Sequence, residues 1–288
     1  MKKRFGFIAL SIVALLLTGC KNKGDDSSSS DSSSDTSAST SDTQSTTESE
    51  DIKEYYSSID DSLTGDALLN KLHELNAAKK TKKYVYQDLR FLFKYTDLDP
   101  KGEVPSGKIV GFYDNSTFSS EWDQGKTWNR EHVWPDSRGG NKVEGDLHMV
   151  RPTLVASNSG RGNKAYGIGS GLYDPNEFNV PEYRGISARI IFYCAIADTS
   201  LKIVDNGSES SNTMGVLSTM LKWNRDYMPQ GQDSSKLAYR VEAYRNEVIY
   251  KHKYMELGGN RNPFIDHPEY ACRIWGNTNS ATKAACGM

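Results

Sequence analysis

Residues 128–135, "WNREHVWP", read together with 145–152, "GDLHMVRP", and 158–163, "NSGRGN", decide the fold. The first stretch sets Glu131 beside His132 between Trp128 and Trp134. Alone it is a half-buried strand that Pro135 ends or confines to an edge. "DLHMV" reads as a second strand, with "DSRGGNKVEG" as the loop between them. "RPTLVASNSGRGNKAYG" reads as a turn leading into a short helix. Strand, loop, strand, helix is the order of a ββα unit. The 26 residues from His132 to Asn158 leave room for loop, strand and helix entry. Such a unit can bring Glu131, His132 and Asn158 to one point.

Those three side chains suit phosphodiester chemistry. Glu131 and Asn158 offer hard oxygens of the kind that hold Mg²⁺ with several of its waters retained. A neutral His132 can take a proton from an attacking water. The metal stabilises charge on the phosphate and on the departing oxygen, and an arginine can grip the phosphate bidentately. One difficulty is geometric. Neighbours on a regular strand point to opposite faces, so the pair requires an irregular or terminal backbone at residues 131–132.

Outward from this window the chain reads as largely helical. Leu68, Leu69, Leu72 and Leu75 recur at helical spacing. "YVYQDLRFLFKYTDLDP" reads as a second helix with Tyr84, Leu89, Leu92 and Phe93 toward the core. "KIVGFYD" is a short strand. "SARIIFYCAIADTSLKIV" is apolar enough for a core helix. "MGVLSTMLKWNRDYM" and "YRVEAYRNEVIYKHK" follow as amphipathic helices, and a last helix starts near Pro268. The class is α+β: a mostly helical single domain over residues 55–288, with a few short strands between 108 and 150.

The 54 residues ahead of that domain have a different character. "MKKRFGFIALSIVALLLTGC" has a basic start and an apolar run from Phe5 to Leu17. The run is shorter than the roughly 20 residues that span a bilayer, so residues 1–19 read as a signal peptide. Leu17-Thr18-Gly19-Cys20 resembles a bacterial lipoprotein box, which implies lipid on Cys20. Residues 20–54 are Ser- and Asp-rich, have little to bury, and read as a disordered tether.

Charge is local rather than global. The whole chain carries −2 over 288 residues. From residue 55 onward 29 basic residues face 28 acidic ones, which lacks the overall basicity of many DNA-binding domains. Within 126–164, however, seven basic residues face four acidic ones. No cysteine spacing suggests a zinc site. Cys272 with Cys286 is the candidate disulfide, and Cys194 reads as a buried small hydrophobe.

"WNREHVWP", "GDLHMVRPTLVASNSGRGNKAYG", "ARIIFY", "RNEVIYKHK" and "GNRNPFIDHPEYACRIWG", in that order, resemble the bacterial endonuclease I family. These are exported non-specific nucleases of the His-Me finger, or ββα-metal, class. The resemblance runs from about residue 55 to about 276. It implies His132 as general base, Glu131 and Asn158 as metal ligands, and products with 5′-phosphate and 3′-hydroxyl ends. It implies Mg²⁺, with Mn²⁺ or Ca²⁺ as substitutes, and no organic cofactor. Asn163 is a rival second ligand; five helical residues would set it about 140° round from Asn158, and it reads as structural. Some relatives carry the phosphate-clamping arginine in a disulfide-held loop. Here the loop is short and has no cysteine. Arg138 fits it, and Arg161 is the alternative. Asp146 and His148 read as hydrogen-bonding or packing groups under the site. Asn129, Arg130, Asn260, Arg261 and Asn262 read as buttresses, His267 as a cap, and Trp128 and Trp134 as core.

The expected function is a monomeric, metal-dependent, sequence-non-specific endonuclease on DNA, with RNA as a second substrate. The expected location is outside the cytoplasm, on a membrane-anchored lipid tether or secreted. The alternative is a non-catalytic surface lipoprotein that binds nucleic acid or another polyanion.

Overall fold

The computed structural model describes residues 49–206 and 211–288, and Glu48–Met288 form one compact unit. The signal-like run, Cys20 and the serine-rich stretch lie outside the described residues. The first helix, α1 (Glu50–Tyr55), begins within residues read as tether, and its last residue, Tyr55, is buried.

In chain order there follow α2 (Gly65–Lys79), a 3-10 segment (Tyr86–Phe91) and the single turn α3 (Phe93–Thr96). The hairpin β1 (Lys108–Val110) and β2 (Thr117–Ser119) comes next. Then come β3 (Trp128–His132), β4 (Val150–Leu154) and α4 (Val155–Arg161). Beyond them are β5 (Ala165–Tyr166), β6 (Leu172–Tyr173), α5 (Glu182–Ala197), β7 (Lys202–Ile203) and β8 (Thr213–Met214). The chain closes with α6 (Leu217–Asp226), α7 (Leu237–Tyr250), α8 (Pro263–Asp266), α9 (Tyr270–Trp275) and α10 (Ser280–Cys286).

Helix α5 is the centre. It is buried on nearly every side: Ile186 and the whole run from Ile190 to Ile196 are buried, and its Arg189 is buried in an ion pair with Glu242. A helix of that kind must be surrounded, and α2, α6, α7 and α8 pack around it. Trp128 and Trp134 are core residues, as expected. Cys272 and Cys286 form a disulfide between α9 and α10, and Cys194 is buried and free. Closing a loop of 14 residues restricts the unfolded chain by roughly 3 kcal/mol.

The ββα order holds, but the second strand lies later than expected. It is "VRPTL", not "DLHMV". Pro152 has no N–H to give, yet a two-stranded ribbon tolerates it. Its carbonyl accepts the Phe112 N–H at 2.8 Å, and the Thr153 hydroxyl donates to Phe112 O at 2.8 Å. The stretch 84–99, expected as one helix ending before Pro100, holds only the 3-10 segment followed by α3.

Buried ion pairs fasten the ribbon to the helices. Asp97 lies between Arg151 of β4, at 3.1 Å, and Arg245 of α7. Arg245 also donates to Leu147 O and, at 2.8 Å, to Val150 O. Asp146 takes Lys80 and the Tyr193 hydroxyl, and His148 meets Asn260 O at 3.2 Å. None of these groups bonds to Glu131, His132 or Asn158. Asp146 and His148 therefore serve packing between the finger and the helices. Gly145 is required here: a Cβ would sit 1.9 Å from Tyr84 O. That close crossing carries the chain from residue 84 past the ribbon.

Candidate nuclease site on the β3–β4–α4 finger

Strand β3 pairs residue for residue with β4, Glu131 opposite Arg151 and His132 opposite Val150. There is no bulge. Consecutive side chains therefore diverge, and His132 is the last residue of the strand. The terminal position, not an irregular backbone, lets both groups border one end of the ribbon.

Glu131 points into a closed, polar-lined wall. It is 2% exposed. The Tyr113 hydroxyl donates to its Oε1 at 2.8 Å, and Arg161 Nε stands 3.4 Å from that same oxygen. The Tyr113 and Tyr166 hydroxyls meet at 2.6 Å. Tyr113 adopts φ 81°, a left-handed conformation that bulky residues rarely hold. Burial raises the Glu131 carboxyl to about 7, against the opposing pull of Arg161 and Tyr113. A buried carboxyl of this kind is completed as an anion by a nearby cation.

His132 looks the other way. Its ring lies 4.4 Å from the Tyr86 ring. Burial holds its pKa below the ordinary value; Asp136 and Glu144 pull upward and Arg130 pushes further down. The imidazole is thus neutral at neutral pH. Nε2 is buried without a hydrogen-bond partner among the described residues. Glu144 Oε2 stands 3.7 Å away, close enough for charge and too far for a hydrogen bond. Tyr86 is locked in place by a reciprocal pair: its hydroxyl donates to Arg130 O at 2.9 Å, and Arg130 Nη1 donates to Tyr86 O at 3.1 Å.

Asn158 lies on α4, half-buried, and its side-chain amide makes no hydrogen bond among the described residues. Three residues apart, Asn158 and Arg161 share one helix face, the face from which Arg161 meets Glu131. The adjacent Ser157 fixes the helix laterally by donating to Asp114 Oδ2 at 2.6 Å. Asn163 lies beyond the end of α4, so helical spacing does not govern it. Its carbonyl accepts Arg138 Nε at 2.8 Å.

Neither arginine expected to clamp phosphate is presented to solvent. Arg138 is 4% exposed and bonded to Asn163. Arg161 is 1% exposed, donates to Val133 O and Gly162 O, and lies against Tyr166 and Glu131. Both brace the finger from within. In exchange, two tyrosines matter that the motifs did not single out. Tyr113 belongs to the turn after "KIV", and its contact with Glu131 spans 18 residues. Tyr86 belongs to a segment whose periodicity suggested an ordinary helix. No short-range pattern marks either.

Comparison with known proteins identifies the family. The family model of endonuclease I matches residues 64–176. An extracellular ribonuclease of Bacillus amyloliquefaciens is 34% identical over 249 residues, covering 79% of this chain and 80% of the relative. The chain belongs to the endonuclease I family. A second relative, an extracellular ribonuclease of Bacillus subtilis (strain 168), is 32% identical over 247 residues, covering 78% and 79%. No solved structure matches. Membership makes the chain a nucleic-acid hydrolase.

Proposed function

We propose that this endonuclease I family member is an exported, metal-dependent, sequence-non-specific endonuclease. It cleaves phosphodiester bonds to leave 5′-phosphate and 3′-hydroxyl ends. RNA stands beside DNA as a substrate, because both relatives are named ribonucleases. The observation that carries the reading is the division of labour at the end of β3: a neutral imidazole with an unpartnered Nε2 next to a buried carboxylate whose two protein partners both approach one oxygen.

The residues fit a magnesium ion. Oε1 of Glu131 faces Tyr113 and Arg161, while among the described residues no protein donor bonds to Oε2. Asn158 adds an amide oxygen free of protein hydrogen bonds. One carboxylate and one amide leave most positions to water, as Mg²⁺ prefers. When bound, the ion supplies charge neutralisation at the phosphate and the departing oxygen. His132 takes the proton of the attacking water at Nε2. Asp136 and Glu144 favour the imidazolium that results. Phosphate contacts supply the affinity, so binding weakens as salt rises.

The apolar run at residues 5–17 and Cys20 support export with a lipid anchor, and the serine-rich stretch acts as the tether to a membrane. Plasmid and RNA are incubated with purified protein, with Mg²⁺ or with EDTA, beside His132→Ala. Cleavage confined to the wild type with metal is expected. Intact substrate in that lane would overturn the enzyme reading, and equal cleavage by His132→Ala would overturn the base.

A further inference from the structure

Six side chains run in an unbroken file from solvent to the imidazole. Phe91 leaves half of its surface exposed. The Arg90 guanidinium lies 4.6 Å from the Phe91 ring centre and 5.8 Å from that of Trp122. Arg130 lies 5.4 Å from Trp122 and 4.0 Å from Tyr86. The Tyr86 ring then faces His132 at 4.4 Å. Aromatic faces alternate with guanidinium planes, so each charge is held by ring quadrupoles.

The arginines of this file differ from those of the scaffold. Arg151, Arg189, Arg240 and Arg261 each meet a carboxylate. Arg90 and Arg130 have no carboxylate at ion-pair distance among the described residues. Their Nε atoms are buried without partners. Among the described residues, the Arg130 side chain makes one hydrogen bond, to Tyr86 O, and that of Arg90 makes none. The surrounding segment adds to the imbalance: residues 79–94 contain six basic residues and one acidic one. Of the six, Lys80 and Lys82 are matched, by Asp146 and Glu256.

We propose that this file is a binding track for single-stranded nucleic acid, with an unpaired base stacked on Phe91 and backbone phosphates on Arg90 and Arg130. The track delivers the next phosphate to His132. It rests on the nuclease reading of the site. Charge complementarity names a polyanion, and the open aromatic face names one with unstacked bases. Base-on-ring stacking tolerates any sequence, which suits a non-specific enzyme. A duplex keeps its bases stacked on one another and has none to offer Phe91.

The test is fluorescence anisotropy in EDTA with a labelled single-stranded RNA and its duplex. Wild type is compared with Phe91→Ala, Phe91→Trp and Arg90→Ala. Phe91→Ala is expected to weaken single-strand binding about tenfold and to leave duplex binding unchanged. Phe91→Trp should restore it. Arg90→Ala should weaken binding and lower its salt dependence. Duplex bound as tightly as single strand, or Phe91→Ala binding like wild type, would overturn the track. Cleavage with Mg²⁺ separates the two readings. Binding through Phe91 without any cleavage sinks the nuclease and spares the track. Cleavage of single strands by Phe91→Ala with unchanged KM sinks the track and spares the nuclease.

Discussion

The two sides of strand β3 are built on opposite plans. On the Glu131 side the carboxylate is backed by buried groups: Tyr113 donates to it, Tyr166 meets the Tyr113 hydroxyl, and Arg161 stands at ion-pair distance. On the His132 side one ring face is covered by Tyr86, the nearest carboxylate stays at 3.7 Å, and Nε2 is left without a partner. On the proposed reading, the first side holds a metal ligand still before anything arrives, and the second keeps a proton acceptor neutral. A strand end is the one place where side chains on opposite faces can border the same bound phosphate.

Substitutions should break the two sides in different ways. The largest effect is expected for His132→Ala, a loss of about 10²–10⁴ in cleavage rate with little change in melting temperature, since the ring makes no buried hydrogen bond to lose. Rate and thermal melt measured on one preparation check it, and a large fall in melting temperature would make His132 structural.

Next comes a pH effect away from both sides. Burial depresses His148 from 6.5 to about 4. The unfolded chain therefore binds the extra proton between those values, and stability present above pH 6.5 is lost as pH falls toward 4. The loss is on the order of 3 kcal/mol. Asp146, held near 2 by Lys80, Tyr193 and His148 against desolvation, adds a further loss below its ordinary value of 3.8. Denaturant unfolding across pH 4–7 measures this, and His148→Gln should flatten the upper limb.

Tyr113→Phe attacks the Glu131 side. It strips one donor from Oε1 and leaves Tyr166 without its partner, at a cost of about 1–3 kcal/mol in stability. It should also weaken divalent-ion binding about tenfold or more, read by calorimetry with Mn²⁺ on the unloaded protein. Unchanged metal affinity would mean that the hydroxyl only packs. The smallest effect belongs to Tyr86→Phe, which removes one half-buried hydrogen bond to Arg130 O, about 1 kcal/mol. Its ring still covers His132, so cleavage should stay within a few-fold of wild type.

The residues proposed to do the chemistry were the readable part of the sequence. Glu131, His132 and Asn158 fall on a strand, a strand end and a helix in the expected order, because a loop, a strand and a helix entry need about the number of residues that separates them. The second strand was misread because "DLHMV" alternates for another reason. Arg245 binds Leu147 O and Asn260 O meets His148, so its polarity follows the helices packed on it. "VRPTL" hides its strand behind Pro152, whose edge is supplied by Phe112 from 40 residues earlier. Arg138, in the loop, and Arg161, its alternative in the helical stretch, were expected as phosphate clamps because charged side chains ordinarily stay in water. Only the fold shows that carbonyls and a glutamate receive them inside. Tyr113 and Tyr86 reach the site through contacts 18 and 44 residues long, which no local pattern can encode.

The grip of Arg245 on Asp97, Leu147 and Val150 also sets an order of assembly. The ribbon that bears Glu131 and His132 emerges from the ribosome about a hundred residues before the arginine that anchors its second strand. A chain stopped after residue 176 would contain every proposed reacting group and leave Asp97 and Arg151 without the helix that completes their network. The expected consequence is that such a fragment does not cut, so that the growing chain carries the parts of a nuclease before it is one; cleavage by a chain ending at residue 176 checks it.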